Sequence, residues 1–307
     1  ADLIEEVGRL AGYDELPALL PAAASRSSEA ALPRDAEADV RQALVGFGFL
    51  ENVSLAFCSQ DELQLWHKEV PRAVELANPL SQKQSHLRMT MMAGLANAAR
   101  LNQDHGQEQL RLFELGRTFC WDVRATVLPE QGRRLGILMR GRRQPVQWGA
   151  GADPVDFYDL KGVVEHLGQL LGQTFGFTAD DHPEFHPRAS ATIWAGPSPS
   201  TPIGRLGELH PDLAEGLGLE GSLVFAAELD VDALESHRGA VPRFAPIPRL
   251  PPAPRDLSFF IDRAVPAAEV VAKIQAAGAD HPLVAVDVFD VYEGKGVPEG
   301  EKRLAVS

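Results

Sequence analysis

Cysteine is nearly absent: 307 residues hold only Cys58 and Cys120. Two isolated thiols make no metal-ligand spacing and point to a reducing compartment. Long apolar runs are missing too. No stretch approaches the ~18 residues that a membrane span needs, and no basic–apolar–small pattern opens the sequence, so the expected setting is cytoplasmic with no membrane partner. Basic charge is in deficit, with 29 Lys and Arg against 43 Asp and Glu and a net charge of −14. Phosphate neutralisation dominates nucleic-acid affinity, so a chain of this balance is not expected to grip RNA strongly by itself. Any RNA contact would be local and would depend on other parts of an assembly. Gly-x-Ser-x-Gly never occurs, which removes the nucleophile elbow.

What is present is the composition of an ordinary globular protein, 45% hydrophobic and 23% charged, long enough for two or three domains. The chain opens inside a helix whose apolar face is Leu3, Ile4, Val7, Leu10 and Ala11, ended by Gly12 and Pro17. So abrupt a start reads as a cut or partial sequence. Residues 17–36, with three prolines and a Ser/Ala-rich middle, read as a linker. Periodicity then predicts a helix through Val40, Ala43, Leu44 and Phe47, and a strand on Val53, Leu55 and Phe57. A second helix is spaced on Leu87, Met91, Leu95, Ala98 and Leu101. Strands follow at 110–119 and 134–140, then a helix carrying Phe157, Leu160, Val164, Leu167 and Leu171 inward. Strands at 189–194, 203–208 and 223–229 complete the block. Strands that return without an intervening helix favour a mostly antiparallel sheet flanked by helices, an α+β layout.

Residues 241–254 hold six prolines and read as a stiff connector. Beyond them come a strand on Leu257, Phe259 and Ile261, a helix opened by Pro266, a strand over 283–292, a turn at 294–300 and a strand from Arg303. That is part of the split β-α-β unit of ferredoxin-like domains, lacking a second helix and a fourth strand, which reads as a second truncation.

Asp2, Glu5 and Glu6 lie on one helix face and offer three hard oxygen ligands, a set that suits Mg²⁺. The same residues also fit a capping box with Asp2 as N-cap, and spacing leaves both readings open. His182 and His186 flank Glu184 with zinc-like spacing, but Pro183 and Pro187 forbid the helix that would align them. His210-Pro211 reads as the opening of a short helix rather than a general base. Asp159 and Lys161 read as a salt link at a helix start. Arg133, Arg134, Arg140, Arg142 and Arg143 cluster around one strand and read as a solvated turn, with an RNA-backbone contact as the alternative.

The most informative stretch is Arg111-Leu-Phe-Glu-Leu-Gly-Arg-Thr-Phe-Cys-Trp-Asp122. It resembles the second signature motif of class II aminoacyl-tRNA synthetases, in which Phe-Arg-x-Glu follows and the Arg grips the α-phosphate of ATP. Here Cys120 follows Phe119, and a thiol cannot replace a planar, permanently charged guanidinium. Around it stand Asn78-Pro-Leu-Ser81, Ser85-x-Leu87-Arg88, Gly94-Leu95, Val155-Asp-Phe-Tyr-Asp-Leu-Lys-Gly162, Ile203-Gly-x-x-Gly-Glu-Leu-His-Pro211, Glu228-Leu-Asp230 and Pro254-Arg-Asp-Leu257. In this order they resemble the C-terminal half of the bacterial phenylalanyl-tRNA synthetase β subunit family. One departure is His186-Pro-Arg-Ala-Ser-Ala191, where the family reads His-Pro-Gly-Arg-Ser-Ala.

The resemblance implies the end of an upstream helical (B5-like) domain at 1–20, a linker at 21–36 and a catalytically inactive class II synthetase-like core at 37–240. A Pro-rich linker at 241–254 and a partial ferredoxin-like anticodon-binding domain at 255–307 would follow. It implies an α2β2 heterotetramer in which the α subunit carries out ATP-dependent activation, with tRNA(Phe) as the RNA partner. Asp2, Glu5 and Glu6 match positions that help hold a Mg²⁺ shared with the α subunit, and a further upstream Asp of that set is not in this sequence. No catalytic residue is expected in this chain. Two other readings are a partner-binding scaffold without an RNA role and a stand-alone adenylate-forming ligase. Cys120 and the lack of a Gly-rich strand ending in Arg argue against the latter.

Overall fold

The computed structural model describes residues 2–15, 36–67, 72–121, 127–197, 199–219, 221–239, 244 and 251–307. The chain divides into two compact units, Ala1–Pro242 and Arg243–Ser307. In the first, α1 (Asp2–Ala11) precedes α2 (Ala36–Gly46), β1 (Leu50–Glu51), β2 (Phe57–Cys58), α3 (Gln60–Trp66), β3 (Val74–Glu75), β4 (His86–Leu87) and α4 (Met92–Asp104). Next come β5 (Leu110–Cys120), β6 (Glu130–Arg140), α5 (Phe157–Leu170), β7 (Phe175–Ala179), β8 (Phe185–Ala195), β9 (Thr201–Leu209), α6 (Pro211–Gly216), β10 (Val224–Asp230) and α7 (Val231–Ser236).

Seven strands form one sheet in the order β1-β5-β6-β10-β9-β8-β7. Every pairing is antiparallel except β1 with β5. Successive side chains of a strand point to opposite faces, and here both faces are apolar. Phe113, Ile137, Met139 and Phe225 pack with α2, α5 and α7 on one side. Leu112, Leu138 and Ala226 pack with α3, α4 and α6 on the other. Phe113, Leu135 and Ile137 are fully buried, each contributing roughly 1.5–3 kcal/mol of burial.

Helix starts follow their sequence signals. Asp156 caps α5, accepting from the amides of Tyr158 and Asp159, while Asp159 reaches back to the Asp156 amide. That reciprocal box offsets two otherwise orphaned donors. Ser59 and Glu62 do the same at α3.

The second unit holds β11 (Leu257–Asp262), α8 (Ala267–Ala277), β12 (Val288–Tyr292) and β13 (Glu301–Val306). Its sheet has the order β11-β13-β12, and Phe259, Ile261, Leu304 and Val306 pack with Val270 of α8. The expected α+β architecture, a class II synthetase-like sheet followed by a ferredoxin-type unit, is the one found.

Several local expectations need correction. Leu87 does not open the helix of Met91 and Leu95. It lies in β4, paired with Phe57 and Val74, and α4 starts only at Met92. The strand expected over Val53–Phe57 is reduced to β2: Asn52 still donates its amide to the Phe113 carbonyl at 2.7 Å, but the Ser54 amide and hydroxyl turn to the Glu114 carboxylate instead of a ladder. The strand expected at 283–292 shortens to β12. Strand β7 was not anticipated, although Phe175 and Phe177 alternate around Gly176. His186-Pro-Arg-Ala-Ser-Ala191 lies within β8, where the pairing with β9 shifts register between Phe185 and Ser190. The linker reading of 17–36, apart from Ala36 at the start of α2, and most of the proline connector fall outside the described residues.

Candidate functional site

Strand β5 carries the synthetase-like motif, and its polar residues face a buried network. Glu114, 2% exposed, receives Arg88 Nη1 at 2.6 Å, Ser54 Oγ at 2.8 Å and Asn52 Nδ2 at 2.6 Å. Arg88 Nε donates to the Arg117 carbonyl at 2.9 Å. This crossing explains the glycine of the motif: a Cβ on Gly116 would sit 2.3 Å from the Arg88 guanidinium. Gly136, on the neighbouring strand, is required for the same kind of reason, since a Cβ there would meet Leu95 and Met91 of α4 at 2.8 Å.

Where β5, β6, β9 and β10 run past the start of α4, a cleft of about 430 Å³ opens, lined among others by His67, Cys120, Arg134, Arg205, Glu228 and Asp230. Both arginines are neutralised from within. Arg134 is ion-paired with Asp230, which also caps α7 through the Ala233 amide. Arg205 places Nε 2.5 Å from Glu184 Oε1, off the hydrogen-bond direction, and Nη2 3.1 Å from Glu228 Oε2. The other oxygen of Glu228 accepts from Thr90 Oγ1 at 2.8 Å and from the Met91 amide at 2.7 Å, holding the N-terminus of α4 in a favourable dipole arrangement.

Two guanidinium groups of the lining are thus held by three carboxylates, which leaves neither charge uncompensated for a triphosphate. Cys120 adds no cation. Burial pushes its thiol above the usual range, and the nearby Glu130 carboxylate, 3.8 Å from Sγ, adds to the shift. His67 Nε2 is buried without a hydrogen-bond partner among the described residues, and burial, then Arg205, lowers its pKa below the ordinary value of 6.5. The residues present do not fit an ATP site.

Of the histidines singled out by spacing, His182 contacts Thr192 Oγ1 at 2.9 Å and His186 Nδ1 accepts from the Arg188 amide at 3.2 Å. His210 caps α6 through the Asp212 amide, as its sequence context suggested. Lys161 pairs with Glu165 along α5, while Asp159 pairs with Arg143 at 2.9 Å. The arginine cluster is only in part the solvated turn expected of it: Arg142 and Arg143 are exposed, while the members on β6 are paired or buried. Arg133 bridges to Asp232 at 2.7 Å and Glu235 at 2.5 Å, and Arg140 is 3% exposed beside Gln103 and Ser222. These partners come from α7, α4 and the segment before β10, a long-range meeting invisible in the sequence.

Asp2, Glu5 and Glu6 lie in the first turns of α1 and are exposed. Glu6 is engaged by Arg9 at 2.7 Å, and among the described residues no three His, Cys, Asp or Glu side chains converge as a metal site. The donor chemistry fits Mg²⁺, but the arrangement does not enclose one. The apolar stripe of the same helix is bare: Leu3, Ile4, Val7 and Leu10 are each more than 60% exposed.

The second unit offers a different surface. Phe259 and Ile261 point into its core, so strand alternation puts Phe260 on the opposite face. Phe260 and Tyr292 both pair in register with Arg303, forming a row across three strands. The Arg303 guanidinium lies 5.2 Å from the Tyr292 ring centroid and 3.1 Å from Asp290. Phe260 is 51% and Tyr292 40% exposed.

Comparison with known proteins accords with both units. Residues 16–231 match the family model of the phenylalanyl tRNA synthetase beta chain CLM domain, and residues 248–307 match that of the ferredoxin-fold anticodon binding domain. The phenylalanine–tRNA ligase beta subunit of Thiobacillus denitrificans is 38% identical over 305 residues, covering 99% of this chain and 37% of that protein. That of Dickeya dadantii is 37% identical over 313 residues, covering 100% and 38% respectively. The chain therefore spans a little over a third of the length of these relatives. Among solved structures, pyrrolysyl-tRNA synthetase from Desulfitobacterium hafniense superposes with a TM-score of 0.51 at 13% identity, over 65% of this chain and 66% of that one; this is a likeness of fold alone. With a family model covering most of its length and relatives aligned along all of it, the chain belongs to the phenylalanyl-tRNA synthetase beta chain family.

Proposed function

We propose that this chain is part of the non-catalytic β subunit of a phenylalanine–tRNA ligase, packing against the catalytic α subunit of an α2β2 assembly and contributing to tRNA(Phe) binding. The observation that carries this reading is the cleft at the synthetase-like position, where Cys120 replaces the expected cation and both arginines are held by carboxylates. ATP-dependent chemistry belongs to the α subunit. The bare apolar stripe of α1, and the exposed Leu50, Val53 and Leu55 beside β2, favour a protein partner.

Within this reading, residues 1–20 end an upstream helical domain, 37–240 form the inactive core, and 255–307 belong to the anticodon-binding domain, joined by linkers at 21–36 and 241–254. The row Phe260–Arg303–Tyr292 supplies aromatic and cationic surface suited to stacking unpaired bases. Asp2, Glu5 and Glu6 would give part of a Mg²⁺ site completed by ligands from the α subunit. The setting is the cytoplasm.

Co-expression with a catalytic α subunit of the family tests the reading. The chain is expected to co-purify with it and, alone, to show no phenylalanine-dependent ATP–pyrophosphate exchange. Exchange by the chain alone, or separation of the two proteins during purification, overturns it.

A further inference from the structure

At the end of β5 and β6 remote from Cys120, a second cleft of about 550 Å³ is lined by Gly46–Gly48, Gln109, Arg111, Arg140, Arg142 and Pro145. No aspartate or glutamate appears among its described lining residues, in a chain whose acids outnumber its bases by 43 to 29. Among the described residues Arg111 is fixed by carbonyls alone: Nη1 donates to Phe47 O at 3.1 Å and Nη2 to Arg143 O at 2.5 Å. Carbonyl partners orient a guanidinium without cancelling its charge. Arg142 is exposed, and its guanidinium makes no ion pair among the described residues, whereas its neighbour Arg143 is drawn away to Asp156 and Asp159.

The backbone that presents Arg142 is constrained. Gly141 has φ +92, and a Cβ there would lie 2.8 Å from Gln109 Cα and the Glu108 carbonyl, so the turn leaving β6 is clamped onto the segment entering β5. The loop that follows carries Trp148, 98% exposed, an indole face free to stack on a base.

We propose that this cleft is an anion site that takes a phosphate group, carried by an RNA backbone or free in solution, with Arg111 and Arg142 as the binding residues. Planar, multidentate guanidinium groups suit phosphate oxygens, and the proposal stands whether or not the tRNA reading of the second unit holds.

The test uses the full chain and two probes. Inorganic pyrophosphate is titrated calorimetrically, and a labelled single-stranded RNA oligonucleotide is titrated by fluorescence anisotropy over a range of salt. Arg142→Glu is expected to weaken at least one probe by about tenfold or more, as reversal of a charge-assisted contact implies. Arg142→Ala is expected to lower the salt dependence of RNA binding by about one unit of slope. Arg255→Glu, in the second unit, is the control for net charge and is expected to leave pyrophosphate binding unchanged. Loss of both probes assigns generic phosphate recognition. Loss of RNA alone, with further weakening by Trp148→Ala, assigns the backbone of an unpaired strand. Binding of neither probe, or equal binding by wild type and Arg142→Glu, overturns the proposal, as does an Arg255→Glu effect on pyrophosphate of the same size.

Discussion

The two ends of one seven-stranded sheet carry arginines in opposite electrostatic states. At the Cys120 end, Arg134 and Arg205 are clamped by Asp230, Glu184 and Glu228. At the other end, Arg111 is held by carbonyls and Arg142 projects into solvent. Counting arginines, two in the lining of the first cleft and three in that of the second, hides how unlike the ends are. What separates them is whether each charge already has a carboxylate, because a paired guanidinium has little attraction left for an incoming phosphate. A synthetase-like cleft can therefore keep arginines in its wall and still be unfit for ATP.

If the first end is locked by its carboxylates, removing one should cost stability rather than liberate a binding site. Glu228→Ala leaves Arg205, Thr90 and the Met91 amide short of an acceptor, and is expected to destabilise the chain by about 3 kcal/mol, measured by urea unfolding. A loss below about 0.5 kcal/mol would contradict the lock. His67 supplies a pH-dependent version of the same test. Burial, then Arg205, lowers its folded-state pKa below 6.5, so the native state binds this proton more weakly than the unfolded chain. Stability from this group is present above pH 6.5 and declines as pH falls below it. His67→Gln should flatten that decline in thermal melts between neutral and mildly acidic pH, and an unchanged profile would remove His67 from the account. At the open end the expected effect is smallest: Arg142→Ala should change stability by no more than about 0.5 kcal/mol, since no described residue pairs with it.

Local rules made much of the fold legible. The spacing of Leu160, Val164, Leu167 and Leu171 gave α5, and the Gly12 stop was readable at the end of α1. Glu114 and Gly116 stood out as a motif, but their reason is Arg88, 26 residues before Glu114 and just past β4. The same carboxylate misled the reading of Val53–Phe57, where alternation of apolar residues gave no hint that the Ser54 amide is drawn away from a strand. Leu87 matched a helical spacing by coincidence, and only the pairing of β4 with β2 and β3 exposes it. The charge pairing of the cleft at the Cys120 end was illegible because partners such as Arg205 and Glu228, or Arg134 and Asp230, meet through cross-strand register, which no local pattern encodes.

The most direct measurement is calorimetric titration of Mg²⁺·ATP into the wild-type chain and into Cys120→Arg. Charge locking predicts no saturable binding to either protein, because restoring one cation leaves Asp230, Glu184 and Glu228 in place. Saturable ATP binding by the wild-type chain would contradict it, and binding gained with Cys120→Arg alone would trace the loss of function to that single thiol rather than to the locked arginines.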